Sequence, residues 1–423
     1  MGPKWQNIFR TLGPGILFAS TAIGVSHLVQ STRAGANFGF ALIPFIVAAN
    51  IFKFPFFEFG SRYANAAGES IIDGYKRIGS WMLWAYFLIT LGSMFFVSAA
   101  VGAVTSGFMQ NLFGIPTDYS VLATIVLFGL CLALLLIGRY KLLDALVKVV
   151  AAVLLVSTIT AFILALMKGP GEHTEGFTIP DIWSDSSLFF IIALMGWMPT
   201  AVDLSAWNSL WTIERIKQTG YKPTLKETLF DFNVGYWISA VLSICFVVLG
   251  AYMVFGSGKE LPNSSGTFAQ SVVGLFTGYI GGWSYLIIAC AAFSIMFSTC
   301  ITVFDGYARS LERTTELLFT KSVLQEQQRK VYAISLIIVI AGAFLIVYFF
   351  SGQLKGLVDL ATTISFLIAP LIAIMNYRLV TGKFISKEAQ PGIIIRLLSW
   401  SGILFLTLFA LYFIYLKMFN SIH

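Results

Sequence analysis

Charge is what this chain most conspicuously lacks. Asp, Glu, Lys and Arg make up 11% of its 423 residues, against about 25% in a soluble globular domain. With 57% hydrophobic residues, 39 Phe and 10 Trp, that shortage excludes a water-soluble fold and points to a polytopic membrane protein. Cysteine is scarce as well. Cys131, Cys245, Cys290 and Cys300 all lie in apolar runs with no paired spacing, which excludes a disulfide framework and a zinc site. No polar linker separates the apolar blocks, so residues 1–423 read as a single integral membrane domain. The first apolar run ends without a small-x-small cleavage pattern and is expected to be retained. No nucleophile–base pair or metal triad stands where a membrane-surface enzyme would need one, so neither catalysis nor a cofactor is expected.

The net charge of +7 has a membrane explanation. Alternate loops hold twenty of the 27 Lys and Arg, the opposite loops and the C-terminus hold five (Arg33, Lys168, Lys259, Lys355, Lys417), and Lys53 and Lys148 lie within apolar segments. Basic residues concentrate on the cytoplasmic side. The asymmetry therefore places the N-terminus inside and the C-terminus outside, in the plasma (cell inner) membrane, with the lipid bilayer and no nucleic acid as partner. It sets no oligomeric state.

A hydrocarbon core about 30 Å thick takes roughly 20 apolar residues per helix. Eleven segments meet that need: 11–34, 38–58, 81–110, 120–138, 143–167, 187–210, 233–255, 281–304, 332–350, 356–376 and 397–416. Segments 1 and 6 are poor helices. The first carries Gly13, Pro14, Gly15 and Gly24, and the sixth carries Gly196 and Pro199 in mid-span with Asp203 one turn on. Proline removes a backbone donor and frees carbonyls near 195; such backbone is tolerated in a membrane only where it lines a cavity in the protein. Ordinary kinks are the plainer explanation. Two breaks in matching positions of two consecutive five-segment sets, about 11–167 and 187–376, point instead to an inverted-repeat transporter with its site at the midplane. Segment 11, 397–416, lies outside the repeat.

The break in segment 1 sits in "AIGVSHLVQSTRAG", residues 22–35. Elsewhere "GRYKLLDALVK", 138–148, reads as an amphipathic linker, the mixed-charge inner loops at 212–231 and 312–330 as partly helical solvated faces, and "NSS" at 263–265 as a sequon that recurs by chance.

"LGPGILFAS", "GANFGFALIP", "GRYKLLDALVK", "WMPTAVDLS" and the "STCIT" of segment 8 together resemble the Nramp family of metal-ion transporters, in order over segments 1–10. The resemblance implies an all-α LeuT-type fold, a 5+5 inverted repeat with helices 1 and 6 broken, and eleven transmembrane helices here. It also implies a metal site. The family's Asp-Pro-Gly-Asn falls on Gly24, Val25, Ser26 and His27, its Met-Pro-His on Met198, Pro199 and Thr200, its next His on Ser205, and the Asp and Glu of its proton route on Ser98 and Val101. Of these ligands only the thioether of Met198 survives.

A dication entering a low-dielectric site loses its hydration, and a carboxylate ligand contributes several kcal/mol of compensation at an effective dielectric near 20. Without one, Met198 and a neutral His27 make a weak metal cradle. Half-helix N-termini favour anions instead, and Ser26, His27, Gln30 and Thr200 can donate hydrogen bonds. The residue chemistry thus favours a small anion such as bicarbonate, or another small inorganic ion or polar solute, bound among Gly24, Ser26, His27, Gln30, Met195, Met198 and Thr200. The alternative is the family's divalent metal (Mn, Fe or Mg), held by Met198, His27, carbonyls near Gly24 and Met195, and Asp203 as a further candidate ligand. A non-transporting sensor and a channel complete the alternatives. Plainer roles exist for each residue: His27 as a helix–helix hydrogen bond, Met198 as packing, Glu58 as interfacial, Arg33 as an interface anchor or gate, and Asp203 as the charge partner of Arg33 or Lys53.

Overall fold

The computed structural model of the chain describes residues 13–137, 140–171, 174, 177–319 and 325–420. Backbone groups in hydrocarbon must be satisfied internally, and every regular element among the described residues is helical. In chain order these are α1 (Pro14–Ala22), α2 (Thr32–Phe38), α3 (Ile43–Ala67), α4 (Ile71–Ile78), α5 (Ser80–Phe113), α6 (Ser120–Ile137), α7 (Tyr140–Lys168) and α8 (Asp185–Gly196). The second half comprises α9 (Leu204–Thr219), α10 (Leu225–Met253), α11 (Ser265–Ile280), α12 (Tyr285–Phe319), α13 (Gln325–Phe349), α14 (Leu354–Thr381) and α15 (Ile393–Asn420).

Each expected segment coincides with a helix or a broken pair: segment 1 with α1 and α2, segment 6 with α8 and α9. Eight helices among the described residues (α3, α5, α6, α10, α12, α13, α14, α15) are long and apolar enough to cross a membrane. The amphipathic linker expected at 138–148 is not a separate element, because α7 runs unbroken from Tyr140; Gly138 and Arg139 lie outside the described residues. Two helices, α4 and α11, were not expected. Helix α4 starts with a capping box in which the Ser70 hydroxyl and Asp73 carboxylate answer each other's backbone amides, a local signal that is legible in sequence. Glu58 is buried and accepts from Arg62 at 2.5 Å, one turn along α3.

Burial sorts the helices into layers. The apolar windows of α10 and α12 are 72% and 67% buried, whereas those of α6, α13 and α15 are 28%, 28% and 33% buried, so the former pair is central and the latter three face outward. Helix α10 carries both halves of segment 1. At one end Asp231 accepts from the amides of Gly13 (3.3 Å) and Gly15 (2.7 Å), supplying the free donors of the α1 N-terminus with a carboxylate. At the other end α2 and α10 meet backbone to backbone: a Cβ on Gly250 would stand 2.2 Å from the carbonyl oxygen of Thr32, and one on Gly35 2.0 Å from that of Val247. Small residues permit this approach, the usual means of joining membrane helices.

Gly250→Val should therefore destabilise the purified protein by about 2 kcal/mol or more, because a carbonyl cannot yield as a side chain can. Gly274→Val in α11, where a Cβ meets nothing within 4 Å, should leave the thermal unfolding midpoint in detergent unchanged; equal midpoints for the two variants would refute the close contact.

Candidate functional site

Helix α1 stops at Ala22, and the chain resumes at Ser26 as a wide turn, Ser26–Ser31, with π-helical hydrogen bonding before α2 begins. The extra residue per turn shifts carbonyls out of line, and hydroxyls reach them: Ser31 donates to Ser26 O (3.2 Å) and Thr32 to His27 O (3.4 Å). Gly24 lies against α12, where a Cβ would come within 2.9 Å of Thr299 Cγ2. The Thr299 hydroxyl is 3.0 Å from both Ile295 O in its own helix and Ser20 O in α1. Break 1 is thus closed by neutral groups.

His27 turns toward α10. Its Nε2 donates to Ser239 O at 2.8 Å, and its Nδ1 lies 2.7 Å from the Ser26 hydroxyl, itself 2.5 Å from Ala22 O. Because a carbonyl can only accept, Nε2 carries a hydrogen. Both ring nitrogens are engaged away from break 6. His27 thus ties the turn of break 1 to α10.

Break 6 spans the residues between Gly196 and Leu204, with a cis Met198–Pro199 bond. Its carbonyls are met by a charge. Lys53 Nζ, on α3 and fully buried, donates to Met195 O (3.0 Å), Gly196 O (2.9 Å) and Thr200 O (2.8 Å). The carbonyl at Met195, expected as a metal ligand, is already bonded to Lys53. A Cβ on Gly196 would stand 2.0 Å from Thr362 O, so glycine lets the end of α8 lie against α14. Met198 is buried, and its sulfur lies 3.8 Å from the Ser31 hydroxyl oxygen. This contact brings the two breaks together. Thr200 is only half-buried.

At the start of α2, Arg33 forms a two-pronged pair with Asp359 of α14, Nη1–Oδ1 2.6 Å and Nη2–Oδ2 2.9 Å. Gln30 joins it, accepting from Arg33 (3.0 Å) and donating to Asp359 (3.0 Å) and Thr362 (3.3 Å). Phe190 of α8 lies under the guanidinium at 4.9 Å. A cavity of about 570 Å³, bounded by α2, α8, α14 and α15, reaches this layer and includes Arg33 and Asp359 in its wall. Arg33 and Asp203 are therefore not a charge pair. Asp203, at the start of α9, accepts from Tyr307 of α12 at 2.9 Å and acts electrostatically on Lys53. Ser205 accepts from Asn376 at 2.9 Å.

Of the expected site residues, Gly24, Ser26, His27, Gln30, Met195 and Met198 are all buried around the two breaks. They divide by direction. Gln30 belongs to the Arg33 layer, His27 to α10, and Met198 to the gap between breaks. Ser98 and Val101 are buried in α5, with the Ser98 hydroxyl lacking a hydrogen-bond partner. Among the described residues no three His, Cys, Asp or Glu side chains gather as a metal site would require. Sequence reasoning missed Asp359 as a site residue. The available signal was its status as the sole acid of segment 10, since intramembrane acids are costly and paired.

A profile of the family described as natural resistance-associated macrophage protein-like matches residues 15–416. The uncharacterized protein PM0681 of Pasteurella multocida is 33% identical over 412 residues, covering 97% of this chain and 93% of that protein. The divalent metal cation transporter MntH of Levilactobacillus brevis is 21% identical over 405 residues, 90% of this chain and 84% of that one. The manganese transporter of Eremococcus coleocola, solved with an aromatic bis-isothiourea substituted compound, superposes with a TM-score of 0.70 at 16% identity, covering 97% of this chain and 87% of that one. That likeness is one of fold.

The Gly24–Thr299 contact yields a paired test. Gly24→Ala should cost about 1–3 kcal/mol through overpacking. Adding Thr299→Ser, which removes the offending methyl and keeps the hydroxyl bonded to Ser20 O, should recover part of the lost thermal stability; a double variant no more stable than Gly24→Ala alone would argue against the contact.

Proposed function

The chain belongs to the natural resistance-associated macrophage protein family, and from that premise we propose that it is a secondary transporter moving a metal cation across the cell membrane by alternating access. The observation that carries this reading is Met198. Its thioether is buried at the tip of break 6 and meets break 1 at Ser31. A soft sulfur ligand favours transition-metal dications over Mg²⁺ or Ca²⁺. Relatives named as divalent metal cation transporters put such a cargo ahead of the small anion expected from residue chemistry.

In this reading the Arg33–Asp359 pair is the outer closure. It joins α2 to α14, Gln30 ties it to the turn carrying His27, and the cavity beside it has both Arg33 and Asp359 in its wall. Passage requires the two helices to part, exchanging the buried pair for hydrated charges. The cytoplasmic N-terminus and outward C-terminus inferred from loop charges complete the orientation. A second reading, a small anion or polar solute, draws support from two features: Gly24 where the family resemblance places an acid, and the positive charge of Lys53 at break 6.

Proteoliposomes holding the purified chain should take up Mn²⁺ saturably, and Met198→Ala should lower uptake efficiency about tenfold, equivalent to about 1.4 kcal/mol. Absence of dication uptake together with saturable anion flux would replace the first reading by the second.

A further inference from the structure

Lys53 donates to three backbone carbonyls. Its Nζ lies 3.0, 2.9 and 2.8 Å from the carbonyl oxygens of Met195, Gly196 and Thr200, and its side chain is fully buried. A neutral amine has two hydrogens and a lone pair, which would repel a third carbonyl; an ammonium has three donors and no acceptor. Three bonds to three carbonyls are what an ammonium, and not a neutral amine, can make. The acceptors come from both limbs of break 6 and bracket Met198 in the chain, with the Phe57 ring on another side at 5.9 Å. Asp203 acts on the charge electrostatically, but its hydrogen bond goes to Tyr307.

Carbonyl oxygens arranged around a small cation are also what a hard or borderline metal ion requires. Lys53 fills that arrangement from within the protein. Taking the cation reading of the site as its basis, we infer that Lys53 is a tethered cation competing with the cargo for the carbonyls of break 6, so that a dication is held only after the ammonium has moved off. Lys53 is thereby a specificity-determining residue. It sets a threshold that weakly held cations fail to pass, because cargo must displace an intramolecular competitor instead of water alone. A purely structural clasp would behave oppositely: removing it would loosen the break and weaken whatever binds there.

The two roles give effects of opposite sign on affinity. Mn²⁺ is titrated calorimetrically into the full-length protein, as wild type, Lys53→Gln, Lys53→Met and Lys53→Arg, with unfolding midpoints recorded alongside. Competition requires Mn²⁺ to bind at least tenfold more tightly to Lys53→Gln and Lys53→Met than to wild type, and no more tightly to Lys53→Arg. Should Lys53→Gln not fold, Lys53→Met, which keeps the stem without the nitrogen, gives the decisive number. Equal or weaker binding by folded neutral variants overturns the inference. Uptake by wild-type proteoliposomes separates this from the fate of the cargo reading. Wild type that carries no dication while Lys53→Gln gains Mn²⁺ affinity defeats the cargo and keeps the competition; wild type that carries Mn²⁺ with no gain in Lys53→Gln defeats the competition alone.

Discussion

Where segment 6 unwinds, the carbonyls of Met195, Gly196 and Thr200 converge on one donor, Lys53 Nζ, which bonds to all three. In hydrocarbon each unanswered carbonyl would cost several kcal/mol, and charge-assisted bonds are roughly twice as strong as neutral ones. The rest of the site is arranged around that clasp. It fixes the end of α8, which lets Gly196 meet Thr362 on α14, and it holds the loop from which Met198 reaches Ser31. Helix α3 thus governs the shape of a break in which it takes no direct part.

The two breaks are satisfied by different means. Break 1 uses hydroxyls: Ser26, Ser31, Thr32 and Thr299 each lie within reach of a displaced carbonyl. Such bonds are neutral, individually modest and replaceable by one another, so segment 1 can change shape at little cost in charge. Break 6 depends on a cation, and its shape depends on where that cation sits. Coupling between halves runs through Met198–Ser31 at the centre and Arg33–Asp359 at one end, both of which join segment 1 to the second repeat.

Much of the fold could be read from run length and from Gly and Pro. All eleven expected segments coincide with helices, and both interruptions fall where Gly24 and Gly196–Pro199 placed them. Helix α4 was missed although its capping box was written in local sequence, and α11 because an apolar stretch of 16 residues is too short to read as a crossing. At the site, composition named candidate residues but not their directions. His27 and Met198 lie in the two facing breaks, yet the ring turns to Ser239 and the sulfur to Ser31. Partner choice depends on the rotation of α10 and α3 about their axes, which helical periodicity does not define when all faces are apolar. The same limit hid the pairing of Arg33: its partner is 326 positions away, on a helix whose sole acid could have been singled out but not placed.

Charge explains how such a site could keep a metal cargo after losing the acid that the family resemblance assigns to position 24. With glycine there and Lys53 in place, the surroundings are two unit charges more positive than a site with the acid and no lysine. At an effective dielectric near 20, a unit charge and a dication about 6 Å apart interact by about 5 kcal/mol, so a dication added beside the ammonium would be strongly opposed. A dication that takes the ammonium's place meets a different balance. It gains the three carbonyls and the Met198 sulfur, and the like charge moves away as it arrives. Under the proposed competition, exchange of one cation for another, instead of accumulation of charge, is the route by which neutral ligands suffice.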